Sequence, residues 1–367
     1  MTKVIHFTSW KGLGGGPSVV FNLVQGLKGQ FRFLILAPCG VFLKEYSEMG
    51  VEVRELGNKN LFQIIREIGK ILQKEKPDIA HVHGTRAAFW LRLSVIGLRN
   101  KPKIIYTLHG FHLIKKNFLI RWLFLIWERF LNRWVDVLVC VSEADKNLVL
   151  KCRTIASEKI KIIRNGVDIE KFKMTPELVK KAREELGLEN KFVLCSIGRL
   201  ELPKDFFTTL KALKIVFSEV RSVKLLIVGD GSLRKSLEEK AKDLALNGQV
   251  EFLGFREDIV ALMNVSDIII LSTNWEGLPI VPLESGACKK PIIASDVEGV
   301  RETIIDKKTG FLFKPQSAKD LAERIIELLK SKGLREKIGG NAYSFISRNF
   351  SRGKMVEKYR DLYQGLL

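Results

Sequence analysis

Short apolar runs alternate with helical patterns almost from one end of this chain to the other, and that alternation constrains its fold more than any other feature. Runs at Val4–Thr8, Phe33–Ala37, Ile79–His83, Lys103–Leu108 and Val135–Val141 form a first series. A second follows at Phe192–Ile197, Lys224–Val228, Val250–Leu253, Ile268–Leu271 and Pro291–Ala294. Between them, segments such as 60–75 and 233–246 read as amphipathic helices. Strands that are apolar along their whole length are covered on both faces, which calls for parallel sheets with crossover helices. The expected class is α/β, and 367 residues suffice for two such domains. The boundary falls near Arg164-Asn165-Gly166-Val167-Asp168, where a strand-like KIKII ends, Asn-Gly supplies a turn and a polar stretch with Pro176 follows. Residues 1–168 and 169–350 are thus expected to be two Rossmann-like domains facing each other across a cleft. The helical pattern over 351–367 is free to pack back on the first or the second.

Charge narrows the partners. The formal net charge is +20, and residues 81–135 carry ten Lys or Arg against Glu128 as the one acidic residue. Such a patch attracts nucleic acid, anionic lipid or phosphorylated small molecules. The chain has neither a basic recognition helix nor the aromatic pattern of an RNA-binding sheet, so nucleic acid is not an expected partner. No run of about 18 uncharged apolar residues is present, so no spanning helix is expected. The opening MTKVIHFTSW runs directly into a strand-like segment without a signal-peptide pattern. The five cysteines (Cys39, Cys140, Cys152, Cys195, Cys288) are dispersed without CxxC spacing, as in a reducing compartment. The expected location is cytoplasmic, with a peripheral place on the inner face of the cell membrane left open.

Ligands of open α/β sheets gather at the carboxyl ends of strands, so the strand-to-helix turns carry the candidate chemistry. The first is Ser9-Trp10-Lys11-Gly12-Leu13-Gly14-Gly15-Gly16-Pro17-Ser18, where glycines permit close approach of a ligand and Pro17 suits a helix start. Histidines stand at strand ends in AHVHGT (His81, His83) and YTLHGF (His109). His81 and His83 share one face of their strand, a spacing open to a metal, but no carboxylate or cysteine lies near them in sequence. His109, just before Gly110, sits where a ligand is expected.

The second series is richer. Gly198-Arg199-Leu200 ends a strand and Lys204 follows, a guanidinium and an ammonium able to clamp a diphosphate. Val228-Gly229-Asp230-Gly231 and Phe252-Leu253-Gly254-Phe255 mark two further turns. The most specific segment is STNWEGLPIVPLE, Ser272 to Glu284. It places Glu276 in a loop and Glu284, eight residues later, within the helix that the loop opens, an arrangement suited to the hydroxyls of a sugar and of a ribose. An unpartnered glutamate among Leu, Pro, Ile and Val is costly, which favours a ligand over a solvated face.

Taken in order, GRL with a following lysine, VGDG, FLGF, EGLP and the E-x7-E frame ending in PLESGACKKPIIASD resemble the retaining glycosyltransferases of family 4, which have the GT-B fold. The GGG loop, the turn at His109, VSE at Val141–Glu143 and RNGVD are also similar, so the resemblance spans nearly the whole chain. It implies a nucleotide-sugar held mainly by the second domain and no essential metal, in keeping with the lack of an Asp-x-Asp pair. By motif match, Arg199 and Lys204 bind the donor diphosphate, and Glu276 takes the sugar hydroxyls beside backbone contacts from Gly277, Leu278 and Pro279. Glu284 takes the ribose, His109 lies beside the transferred sugar, Gly15 and Gly16 approach the diphosphate or the acceptor, and Gly254, Phe255 and Arg256 flank the base. The resemblance also implies retention at the anomeric carbon, with UDP as the first expectation for the nucleotide and a guanosine nucleotide as the second. The chain departs from the family pattern in two places. Asp296-Val297-Glu298-Gly299-Val300-Arg301-Glu302 has a single glycine where a pair is usual, and Arg164 stands where proline is common.

The acceptor side is read from NFLIRWLFLIWERFLNRW, residues 117–134. Helical spacing puts Phe118, Trp122, Ile126, Phe130 and Trp134 on one stripe, while Arg121, Glu128 and Asn132 fall together. With Lys115, Lys116 and Arg129 nearby, this helix reads either as interfacial, against a membrane, or as a buried helix whose aromatics belong to the core. The interfacial reading implies a lipid-linked glycan or a lipopolysaccharide-type acceptor in surface polysaccharide biosynthesis. Rival functions are a sugar-nucleotide epimerase or a phosphorylase of the same fold, and a non-catalytic glycan- or lipid-binding recruitment protein.

Overall fold

The computed structural model describes residues 1–9, 14–37, 43–57, 59–110 and 117–367. The chain divides into two compact units, Met1–Gly166 with Arg352–Leu367, and Val167–Ser351.

The first unit holds seven strands: β1 (Lys3–Thr8), β2 (Arg32–Ala37), β3 (Glu52–Glu55), β4 (Ile79–His83), β5 (Lys103–Leu108), β6 (Val137–Cys140) and β7 (Ile160–Ile162). They form one sheet in the order β3-β2-β1-β4-β5-β6-β7, parallel throughout. The order reverses between β1 and β4, so a crevice at the strands' carboxyl ends opens at that point. Strands β1 and β4 lie in the middle of the sheet and are buried along nearly their whole length, as their apolar sequences require. The helix Arg352–Gln364 belongs to this unit. A Cβ on Gly26 would come within 2.6 Å of Val356, so the helix Gly15–Leu27 needs a glycine where the two helices meet.

The second unit holds β8 (Phe192–Ile197), β9 (Val223–Val228), β10 (Val250–Gly254), β11 (Ile268–Leu271), β12 (Ile292–Ser295) and β13 (Phe311–Phe313). Their order is β10-β9-β8-β11-β12-β13, again all parallel, with the reversal between β8 and β11. Leu194, Leu225, Ile227, Ile268, Ile270 and Ile293, on four strands of this sheet, pack with Leu210, Leu213, Leu321 and Ile325 of its helices. The α/β class read from the sequence is the observed one. Two strands were not visible as apolar runs. β3, Glu-Val-Arg-Glu, is a largely polar edge strand, and β13 is three residues long.

Candidate functional site

In the second unit the turns after β8 and β11 meet at the reversal of strand order. Gly229, after β9, has φ 131°, and a Cβ there would lie 2.0 Å from the carbonyl oxygen of Gly198, so only glycine lets the turns after β8 and β9 abut. Beyond Arg199 the chain folds back so that Lys204 pairs with Thr273 in an isolated antiparallel bridge. The amide of Asp205 then donates to the Ser272 carbonyl at 3.0 Å, and the Asp205 carboxylate caps the helix Phe206–Glu219. These bonds fix Lys204 against the loop that carries Glu276. The Lys204 ammonium donates to Glu276 Oε1 at 2.5 Å, and Thr273 Oγ1 donates to the same oxygen at 3.0 Å. Both charged side chains are largely buried, 17% and 14% exposed. Arg199 differs: its side chain is 72% exposed and its nearest acidic partner is Glu201, at 3.8 Å.

The loop is backed by the glycine of the divergent motif. A Cβ on Gly299 would lie 2.4 Å from the Glu276 carbonyl oxygen and 2.2 Å from that of Gly277. One glycine in the short helix Glu298–Arg301 therefore supplies the close approach. Gly277, Leu278 and Pro279 are buried, and the helix Val281–Ala287 follows. Glu284, on that helix, is half-buried. Burial pushes its carboxyl up to about 7, against the opposing field of Lys171. Among the described residues no hydrogen-bond donor meets this carboxylate. At the far side of the same sheet edge, Gly254 ends β10 with φ 65° and Phe255 is exposed. Arg256 is already engaged, donating to both oxygens of Asp258 at 2.8 and 2.6 Å.

The first unit builds its edge differently. His6 on β1 stands in register with His81 on β4, and His83 on β4 with Thr107 on β5, so these side chains share one face of the sheet. The helix Arg352–Gln364 covers that face with Tyr359 and Tyr363, four residues apart and both fully buried. The groups bond in sequence. His109 Nε2 is 3.4 Å from His83 Nδ1, and His83 Nε2 is 2.9 Å from His6 Nδ1. His6 Nε2 lies 3.2 Å from the Tyr363 hydroxyl, which lies 2.6 Å from His81 Nδ1. His81 Nε2 meets Thr107 Oγ1 at 2.7 Å, and Thr107 Oγ1 meets the Tyr359 hydroxyl at 3.1 Å. Burial lowers His6 to about 3 and His109 to about 4. His81 and His83 are held well below the ordinary histidine range, first by burial and then by their histidine neighbours. All four rings are therefore neutral at pH 7. Ring nitrogens of His6, His81 and His83 lie within 4.8 Å of one another, a separation a metal could span. Both nitrogens of each of these rings already have a hydrogen-bond partner, so an ion would have to displace the array.

Gly15 and Gly16 open the helix that follows β1, while residues 10–13 of the glycine-rich turn lie outside the described residues. Lys115, Lys116 and the side chain of Phe118 lie outside them as well. Much of the apolar surface of the helix Phe118–Leu131 faces outward, Trp122 and Trp127 being 52% and 51% exposed, while Leu131 is buried and Phe124 and Leu125 pack on the core of the unit. For Trp122 and Trp127 the alternative in which the aromatics of this helix belong to the core fails. Its inner side carries Glu128 and Asn132, both buried. The Arg92 guanidinium grips Glu128 through two bonds of 2.6 and 3.0 Å, reaches Asn132 Oδ1 at 2.5 Å and lies 5.1 Å from the Tyr106 ring centroid. This bidentate ion pair satisfies the buried charges and frees the aromatic side to face outward. Trp134 is the exception on the stripe: it packs on the core of the unit. Arg129 is exposed and donates to the Arg153 carbonyl at 3.1 Å. Among the described residues no helix is long and apolar enough to cross a membrane.

Sequence motifs singled out Lys204, Glu276, Glu284 and His109, but not the pairing of Lys204 with Glu276. They missed His6, Thr107, Tyr359 and Tyr363, which only strand register and the last helix bring to His109.

Comparison with known proteins bears on both units. Residues 13–171 match the family model described as Glycosyltransferase Family 4, and residues 179–345 match Glycosyl transferases group 1. The UDP-Gal:alpha-D-GlcNAc-diphosphoundecaprenol alpha-1,3-galactosyltransferase of Escherichia coli is 30% identical over 305 residues, covering 80% of this chain and 77% of that protein. The N,N'-diacetylbacillosaminyl-diphospho-undecaprenol alpha-1,3-N-acetylgalactosaminyltransferase of Campylobacter jejuni is 27% identical over 370 residues, 94% of each chain. Among solved structures, Anabaena HepE in complex with UDP-glucose superimposes with a TM-score of 0.88 over the full length of both chains at 22% identity. That likeness shows the fold, GT-B.

Proposed function

The chain belongs to the glycosyltransferases, and from that premise we propose that it moves a hexose or N-acetylhexosamine, with retention, from a UDP-sugar to a lipid-linked glycan. The observation that carries the reading is the buried Lys204–Glu276 pair at the strand-order reversal of the second unit. Before the donor arrives each charge is partnered by the other. When it arrives, Lys204 and the exposed Arg199 take the diphosphate, and Glu276 accepts from sugar hydroxyls. Glu284, raised to about 7 and without a donor among the described residues, is suited to accept from the two ribose hydroxyls. Phe255 and Gly254 are suited to the base.

Charge that grows on the leaving UDP oxygen is neutralised by Lys204 and Arg199, and that oxygen takes the acceptor's proton on the same face. No residue is assigned as a separate base. His109 contributes a neutral imidazole to the sugar. The reaction is proposed to run without an essential metal, since the charge neutralisation comes from the two basic side chains. The relatives acting on diphosphoundecaprenol substrates, whose names state it, support a lipid-linked acceptor, with a lipopolysaccharide core as the other acceptor of this type. The outward row of Trp122, Ile126 and Trp127, with Arg121 and Arg129 exposed beside it, fits the headgroup region of an anionic membrane.

The test is a panel of nucleotide-sugars, read by released nucleotide and by thermal shift. One UDP-sugar should be slowly hydrolysed and UDP should stabilise the protein; no response to any nucleotide would contradict the donor site. For the membrane surface, Trp122→Ala with Trp127→Ala should weaken binding to vesicles of phosphatidylglycerol without lowering the melting temperature. Equal binding by wild type and double variant would remove that part of the proposal.

A further inference from the structure

We infer that the buried array behind His109 is a positioning device that holds the His109 proton on Nδ1 and keeps Nε2 as an acceptor, with Tyr363 as its central link. The direction of the array follows from its far end. The Tyr359 hydroxyl is buried and, among the described residues, bonds to Thr107 alone. A buried O–H without an acceptor is costly, so Tyr359 donates to Thr107. The single Thr107 hydrogen then goes to its other partner, His81 Nε2. A neutral imidazole carries one N–H, so His81 donates from Nδ1 to the Tyr363 hydroxyl.

Each later step is forced in the same way. Tyr363 donates to His6 Nε2, His6 donates from Nδ1 to His83 Nε2, and His83 donates from Nδ1 to His109 Nε2. In the reverse direction every bond flips, Thr107 donates to Tyr359, and the Tyr359 proton is stranded in the core. The array thus has one favourable polarity. It makes His109 a neutral donor at Nδ1, matched to a hydroxyl or carbonyl oxygen rather than to a proton awaiting removal. It also gives the last helix of the chain a part in the site, through a hydroxyl rather than through packing alone.

The consequence for turnover rests on the proposed role of His109 at the sugar, whereas the tautomer itself does not. The test is a long-range 1H–15N correlation spectrum of the full chain labelled with 15N-histidine, with His109 signals assigned by their loss in His109→Gln. The wild type should show a pyrrole-type Nδ1 and a pyridine-type Nε2 at His109. Tyr363→Phe keeps the ring and deletes the link, so the His109 proton should spread over both nitrogens and kcat should fall about fivefold at unchanged donor KM. Tyr359→Phe, which removes only the anchoring hydroxyl, should also give mixed tautomers and covers the case in which Tyr363→Phe does not fold. A His109 protonated on Nε2 in the wild type, or unchanged in both variants, would overturn the inference. Expected tautomers combined with full activity in His109→Gln would instead remove the sugar-side role and leave the array standing.

Discussion

The two units run the same strand order through a reversal and place opposite chemistry at it. In the first, polar groups on one face of the central strands β1, β4 and β5 are neutral and bonded to one another. In the second, the β8–β11 reversal keeps its charges, with Lys204 and Glu276 paired and Glu284, among the described residues, left without a donor. A saturated array resists rearrangement, and an unsaturated carboxylate gains from a ligand that brings hydroxyls. The comparison assigns donor binding to the second unit and rigid placement of one side chain to the first.

The largest effect we expect is on stability in the first unit. Glu128→Ala strands the Arg92 guanidinium in the core and should cost about 3–5 kcal/mol, measured by urea unfolding. Replacing both residues with apolar ones should recover most of that loss; if it does not, the outward turn of the helix Phe118–Leu131 has another cause. In the second unit, Lys204→Ala and Arg199→Ala should each reduce turnover by about 2–4 kcal/mol of transition-state stabilisation, read as released UDP. Wild-type rates in both would break the assignment of charge to that reversal.

Smaller effects separate the units by pH. Histidines lowered by burial bind protons only on unfolding, so stability should fall as pH drops below about 6.5. Glu284, raised from 4.5 to about 7, works in the opposite sense: its contribution is present below 4.5 and is lost as pH rises through 7. Melting curves from pH 5 to 8 should show both limbs, and Glu284→Gln should flatten only the upper one. A flattened lower limb in that variant would mean the histidines are not its source. The smallest signal is a fraction of a proton released when UDP binds near pH 7, because ribose hydroxyls favour the charged form of Glu284. Calorimetry in buffers of different ionisation enthalpy measures it, and proton uptake would place the ribose elsewhere.

What could be read in advance follows the range of the interactions. Central strands show as apolar runs because both faces are buried, whereas β3 pairs at an edge and keeps Glu52, Arg54 and Glu55. Lys204 and Glu276 lie in turns and Glu284 in the short helix that follows, within segments whose composition marks them. The histidine array could not be read this way, since His6, His81 and Thr107 meet only through strand register and Tyr363 arrives 282 residues after His81. The segment from 117 to 134 shows a different limit: its pattern fits both a core and an interfacial helix, and the partner that decides, Arg92, lies on a separate helix.

Hydrogen exchange of the full chain with and without UDP tests the division of labour most directly. We expect protection to concentrate in peptides covering 198–206 and 272–285, with strands β4 and β5 of the first unit already protected and unchanged. Protection gained in the first unit while those two segments stay as they were would contradict the assignment of the donor to the second.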